Sequence, residues 1–166
     1  MIYLLDANAF IQAHRTYYHM NICPGYWDWL DHQNGLGIVQ SIDWVYEELV
    51  DGNDKLVEWA KARKPFFKES SDASTQENFA AVAEHVVDIP NMVNGASEEF
   101  LDGADPWLIA MAMNSNNYKI VTNEGFKPEI RRKILIPNVC EHFNVQYMGV
   151  VEFLKELEAK FVMSAP

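Results

Sequence analysis

The chain has 166 residues, 49% of them hydrophobic, and sets 24 acidic against 13 basic residues for a net charge of −11. That balance excludes a disordered chain and argues against a broad, sequence-independent grip on nucleic-acid phosphates. No apolar run approaches the roughly 20 residues of a membrane span, no basic segment leads into an apolar leader, and Cys23 and Cys140 lack metal-ligand spacing, so a reduced, cytoplasmic protein with one domain over residues 1–166 is expected.

Ile2 to Leu5 is a short apolar run with the branched and aromatic content of a buried strand. Asp6 follows at once, at the strand's carboxyl end, where open α/β sheets bind ligands. The same residue type also suits a helix N-cap. Asn8, Phe10, Ile11 and Ala13 begin a helix expected over Phe10 to Tyr18. After the break at Cys23-Pro24-Gly25, Tyr26 to His32 reads as a short aromatic helix, and Gln33 to Gly37 as a turn. Leu36 to Gln40 is expected to be the second strand.

Ser41 suits the N-cap of a helix over Ile42 to Val50. At 100° per residue, Trp44, Val45, Glu48 and Leu49 share one side of that helix. Glu48 therefore falls in an apolar sector, where a charge is costly unless it is paired or coordinates a cation. A salt-bridged glutamate would satisfy the same pattern. Leu56 to Ala62 continues as helix. Lys61 to Lys68 interleaves basic and aromatic residues, which fits either an RNA-contacting strip or a solvated helix end followed by two core phenylalanines. Glu69 to Thr75 reads as loop, Gln76 to Val87 as helix, and Asn91 to Ser97 as loop.

In Asp102 to Met113, Pro106 suits a first helical turn and Asp105 the N-cap before it. The helix that follows is apolar almost all round and should be buried. Tyr118 to Thr122 is a strand with Asn123-Glu124-Gly125 at its end. Arg131-Arg132-Lys133 is a basic triplet, and Ile134 to Ile136 is an apolar run closed by Pro137. Asn138 to Phe143 is one or two helical turns, Val145 to Met148 a last strand, and Gly149 to Val162 an amphipathic helix.

Strands alternating with helices predict a largely parallel sheet covered by helices. Such a sheet brings Asp6 and Glu124 to one edge, with Glu48 and Asp105 entering from helices. Converging carboxylates repel one another. A hard divalent cation, Mg²⁺ or Mn²⁺, takes oxygen ligands and would relieve that repulsion. It could also activate water against a phosphate.

Leu4-Leu5-Asp6-Ala7-Asn8, Ser41 to Leu49, Asp105-Pro106-Trp107-Leu108-Ile109-Ala110 and Val121-Thr122-Asn123-Glu124 together resemble the ordered motifs of PIN-domain nucleases. The resemblance implies a three-layer α/β/α fold with a mostly parallel sheet, and metal-dependent phosphodiester cleavage, usually of RNA. It places Asp6, Glu48 and Asp105 as the core metal-binding acids. Glu124 stands where the family more often has Asp. Asn8 and Thr122 match polar residues that support the site. Arg131 and Arg132, close after Glu124, are the expected phosphate contacts. Many bacterial members are VapC-like toxins, which would make an antitoxin a partner besides RNA and leaves a homodimer open.

Two other readings compete. One is a phosphatase of the haloacid-dehalogenase type, which also places an aspartate after its first strand. Its second aspartate, two residues on, is Asn8 here, which cannot act as an acid. The other is a PIN-like binding module that has lost activity, against which the complete set of acids argues.

Overall fold

The computed structural model describes residues 1–162. Its centre is a five-stranded sheet of β1 (Ile2–Leu5), β2 (Val39–Ile42), β3 (Phe67–Lys68), β4 (Tyr118–Val121) and β5 (Tyr147–Met148), in the order β3-β2-β1-β4-β5. Every pairing is parallel. Parallel neighbours require long crossovers, which here are helical, and helices on both faces demand strands that are apolar on both faces. Leu4, Leu5, Val39, Ile42, Ile120 and Val121 meet that demand and are buried.

The crossovers carry α1 (Ala7–Arg15), α2 (Pro24–Gly35), α3 (Asp43–Val50), α4 (Lys55–Lys61), α5 (Ala73–Asp88), α6 (Ala96–Asp102), α7 (Asp105–Met113) and α8 (Ile136–Phe143), and α9 (Val150–Glu156) follows the last strand. On one face α7 packs on β2 and β4 and is covered by α5. Leu108 to Ala112 are accordingly buried in succession. On the other face the Tyr3 ring meets Phe153 of α9 at 5.2 Å, and Phe153 meets Trp29 of α2 at 5.5 Å. The architecture is a three-layer α/β/α fold.

The strand order positions the site. From β1 the chain moves outward through β2 and β3, then returns to the other side of β1 with β4 and β5. The crevice outside the carboxyl ends of β1 and β4 is the topological switch point, the preferred ligand position of open α/β sheets.

Several elements differ from expectation. Helix α1 starts at Ala7, three residues earlier, because Asp6 caps it: its Oδ1 accepts from Ala9 N–H at 2.6 Å. Helix α2 runs through Asn34 to Gly35, where a turn was expected. Ser41 is not a cap but a strand residue, its hydroxyl donating to the Leu5 carbonyl across the sheet. Asp72 caps α5, which begins inside the expected loop. Helix α6, which no expectation covered, begins inside the Asn91 to Ser97 stretch read as loop; it starts from Gly95, whose φ of 89° favours glycine, and is anchored by Ala96 and Phe100. Asp105 is the first residue of α7 rather than its cap, which is Ala104. Pro137 opens α8 instead of closing an apolar segment. The last helix stops at Glu156, short of Val162. No helix among the described residues is long and apolar enough to cross a membrane.

Candidate active site

A cavity of about 260 Å³ opens at the switch point, lined among others by Asn8, Glu48, Glu99, Asp105, Glu124 and Lys133. Asp6 is fully buried and does not line the cavity, but its neighbours Ala7 and Asn8 do. β1 delivers Asp6 to the sheet edge. Its second oxygen, Oδ2, accepts from the Thr122 hydroxyl at 2.7 Å, so the residues following β1 and β4 are joined at the base of the crevice. The Asp6 N–H also donates to the Val121 carbonyl.

Glu48 reaches the cavity from the last turn of α3. Its Oε1 accepts from the Ala104 N–H at 2.8 Å. A Cβ on Gly103 would lie 3.3 Å from that oxygen, so the glycine keeps the approach open. Glu47, its neighbour, lines a separate groove with Tyr46 and Phe67. Of the two glutamates, Glu48 lines this cavity, but it is exposed and does not lie inside the apolar sector as the helical wheel expected.

Asp105, in the first turn of α7, accepts no hydrogen bond from a described residue. Freed from capping, its carboxylate is available to the cavity. Burial pushes its pKa up to about 8, and Asp6, Glu124 and Glu48 add repulsion that Lys133 partly offsets. Burial lifts Asp6 to about 7; its bonds from Thr122 and Ala9 pull it down, while Glu124 and Glu48 push it up. Burial is the larger cause in both, and repulsion from Glu48 and Glu124 is common to the two.

Glu124 carries a longer arm than Asp would, and uses it. Its Oε2 accepts from Ile136 N–H at 2.9 Å, capping α8, and its Oε1 accepts from Lys133 Nζ at 3.1 Å. The Glu124 N–H donates to the Thr122 hydroxyl. Thr122 therefore ties Asp6 to the Glu124 backbone.

The donor set is carboxylate oxygen, the chemistry of hard divalent cations, and a cation would relieve the repulsion that raises Asp6 and Asp105. Among the described residues, no group of three or more His, Cys, Asp or Glu side chains is already arranged to hold a metal ion. The hydrogen bonds above explain this: Asp6, Glu48 and Glu124 each commit oxygens to backbone or side-chain donors. Loading a cation on Asp105 and its neighbours would require those carboxylates to share or exchange these bonds.

Two residues of the cavity escaped the sequence. Glu99 belongs to the unexpected α6. Lys133 was singled out only as part of a triplet, yet it alone of the triplet lines this cavity. Arg131 lines an adjoining pocket and donates to the Pro128 and Ile130 carbonyls. Arg132 is exposed. The Lys61 to Lys68 stretch is no RNA strip: Phe66 and Phe67 are buried in the core, and Arg63 pairs with Asp31.

Fold and site together define an α/β protein with a parallel sheet and a carboxylate-lined crevice at its switch point. A family model described as "Domain of unknown function (DUF4411)" matches residues 3–161, and the chain belongs to that family. Neither the curated proteins nor the solved structures include a match.

Proposed function

We propose that the chain is a PIN-type, divalent-metal-dependent phosphodiester hydrolase, with RNA as substrate. The observation that supports the reading is that Glu48, Asp105 and Glu124 line one crevice with Asp6 buried beside it, and that burial, with added repulsion from the neighbouring carboxylates, raises the proton affinity of Asp6 and Asp105. Mg²⁺ or Mn²⁺ would supply Lewis acidity toward a phosphate oxygen and acidify a water. Asp105, with its carboxylate free of hydrogen bonds, and Asp6 and Glu48 beside it would hold the ion. Thr122 orients Asp6 through its hydroxyl. Asn8 lies on the cavity wall, where its amide can hydrogen-bond a phosphate or a water. Lys133 offers a cation to the scissile phosphate once it leaves Glu124.

The same Asn8 disfavours the phosphatase reading, since an amide has no acidic proton to give a leaving group. A toxin role with an antitoxin partner is a branch of the proposal. The test is Mn²⁺ titration by calorimetry beside cleavage of a short single-stranded RNA. Wild-type protein should bind the metal and cleave, and Asp105→Asn should weaken both by at least tenfold. Cleavage that persists in chelator, or that is untouched by Asp105→Asn, overturns the proposal.

A further inference from the structure

A second pocket, of about 290 Å³, adjoins the acidic cavity. The two share Lys133 and Ile134 in their walls, so they meet at those residues as an acidic half and a mixed half. The second half is framed by Phe126, Arg131, His85, Asp88 and Met92. It belongs to the loop between β4 and α8 on one side and to the end of α5 on the other.

Its aromatic and charged lining residues fit a nucleotide better than a purely apolar ligand. Phe126 is 49% exposed, and its ring stacks on no other aromatic among the described residues. An unstacked, accessible ring beside a cation is what a base uses as a platform, because every base has a π-face. Arg131 spends one guanidinium nitrogen on the Pro128 and Ile130 carbonyls, which fixes the fork and leaves the remaining donors for an anion. Lys133 stands at the boundary between the halves, where a phosphate joining them would lie. At the other wall, His85 is stacked face to face on His142 at 3.6 Å, which holds its ring in place, and the exposed Asp88 offers an acceptor to a base amine. The volume is close to the lower bound of small-ligand pockets, about 300 Å³.

We propose that this pocket is a nucleotide subsite of the substrate, seating the base next to the scissile phosphate on Phe126 with its own phosphate against Arg131. The inference rests on the RNA-hydrolase reading. It explains how a chain of net charge −11 grips a polyanion: the grip is local, through one aromatic and two cations, and does not depend on the overall field. It also separates the roles of the basic triplet. Arg131 and Lys133 face the substrate, and Arg132 does not.

The probe is a fluorescein-labelled single-stranded hexaribonucleotide, its anisotropy measured in chelator so that binding is read without turnover, beside cleavage in Mn²⁺. Phe126→Ala and Arg131→Gln should each weaken binding by roughly 5- to 100-fold, the range of a lost stacking or phosphate contact, while calorimetric Mn²⁺ affinity stays unchanged. Thermal melts of both variants, whose side chains are exposed, check that the fold is kept. Ultraviolet cross-linking of a uridine-containing hexamer should place the adduct on the Phe126–Lys133 segment. RNA affinity unchanged in both variants, or adducts confined to other segments, overturns the subsite while leaving the hydrolase reading in place. Metal-independent cleavage or an indifferent Asp105→Asn overturns the hydrolase reading instead. A wild-type chain that does not bind the hexamer overturns both.

Discussion

The Thr122 hydroxyl donates to Asp6 Oδ2 at 2.7 Å and accepts from the Glu124 N–H at 3.1 Å, so one side chain after β4 orients the acid after β1 and the loop that carries the next acid. Asp6 itself caps α1 with its other oxygen. Its structural role as cap and its proposed role as ligand are therefore distinct in atoms, and substitutions can separate them.

Asp6→Asn keeps an oxygen for the Ala9 N–H and an amide that the Thr122 hydroxyl can accept from. The metal-free protein should lose little stability, while metal affinity and cleavage fall sharply. Asp6→Ala removes the cap as well, which costs about 1 kcal/mol, and strands the Thr122 hydroxyl. Chemical denaturation of both variants checks this. Equal, large losses in both would make Asp6 purely structural.

Glu48 and Gly103 form the next test. Gly103→Ala would press a methyl against Glu48 Oε1, which sits 3.3 Å from the position of that Cβ. The glutamate must then give up its bond to Ala104 N–H or shift by tenths of an ångström. Stability should fall by about 1 kcal/mol, the cost of a buried or half-buried hydrogen bond. Metal affinity should fall with it, although residue 103 has no ligand atom of its own. Calorimetry on the alanine variant reads both effects, and Glu48→Gln serves as the control that retains the bond and loses the charge.

Stability of the metal-free protein should fall as pH rises from about 4 to about 8. The sign follows from Asp6 at about 7 and Asp105 at about 8, both raised from 3.8. Across that interval the native state holds more protons than the unfolded state, so raising the pH favours unfolding. Below the unfolded value the penalty is absent. A divalent cation should restore the loss most at pH 8, and by about 2.7 kcal/mol at a hundredfold excess over its dissociation constant. Thermal melts at pH 5, 7 and 8, with and without Mn²⁺, check it. A flat profile would mean that burial and repulsion do not hold the Asp6 and Asp105 carboxyls above their ordinary range.

Lys133→Gln removes the cation that partly offsets repulsion on Asp105 and pairs with Glu124. It should raise the RNA dissociation constant uniformly across sequences and flatten its salt dependence by about one log–log unit. Arg132→Ala should leave the slope unchanged, since Arg132 lines neither half. Binding isotherms at several salt concentrations distinguish the two.

β1 and β4 were legible in the sequence because burial on both sheet faces demands mostly apolar runs, and Ile2 to Leu5 and, apart from Lys119, Tyr118 to Val121 are such runs beside turn residues, whereas the two-residue β3 lies in a stretch that was not read as strand. The candidate acids stood out for different local reasons: Asp6 and Glu124 at strand ends, Glu48 as a charge in an apolar sector, and Asp105 as a carboxylate opening an apolar helix. The alternation of strand and helix likewise implied a parallel sheet before any pairing was known. Tertiary structure decided what local pattern leaves degenerate. A serine before a helix can cap it or, like Ser41, bond across the sheet; only the distance to the Leu5 carbonyl selects between them. Asp105 could cap α7 or begin it, and the preceding Gly103-Ala104 turn, held by Glu48, selects the second. Of three consecutive cations, the direction of the loop into α8 sends Lys133 to the acids, Arg131 to the neighbouring pocket and Arg132 to solvent. Helix α6, seven residues long and held by Ala96 and Phe100, has too little periodic signal to be read alone, because its stability comes from packing and not from propensity. Glu99 reaches the site only through that packing.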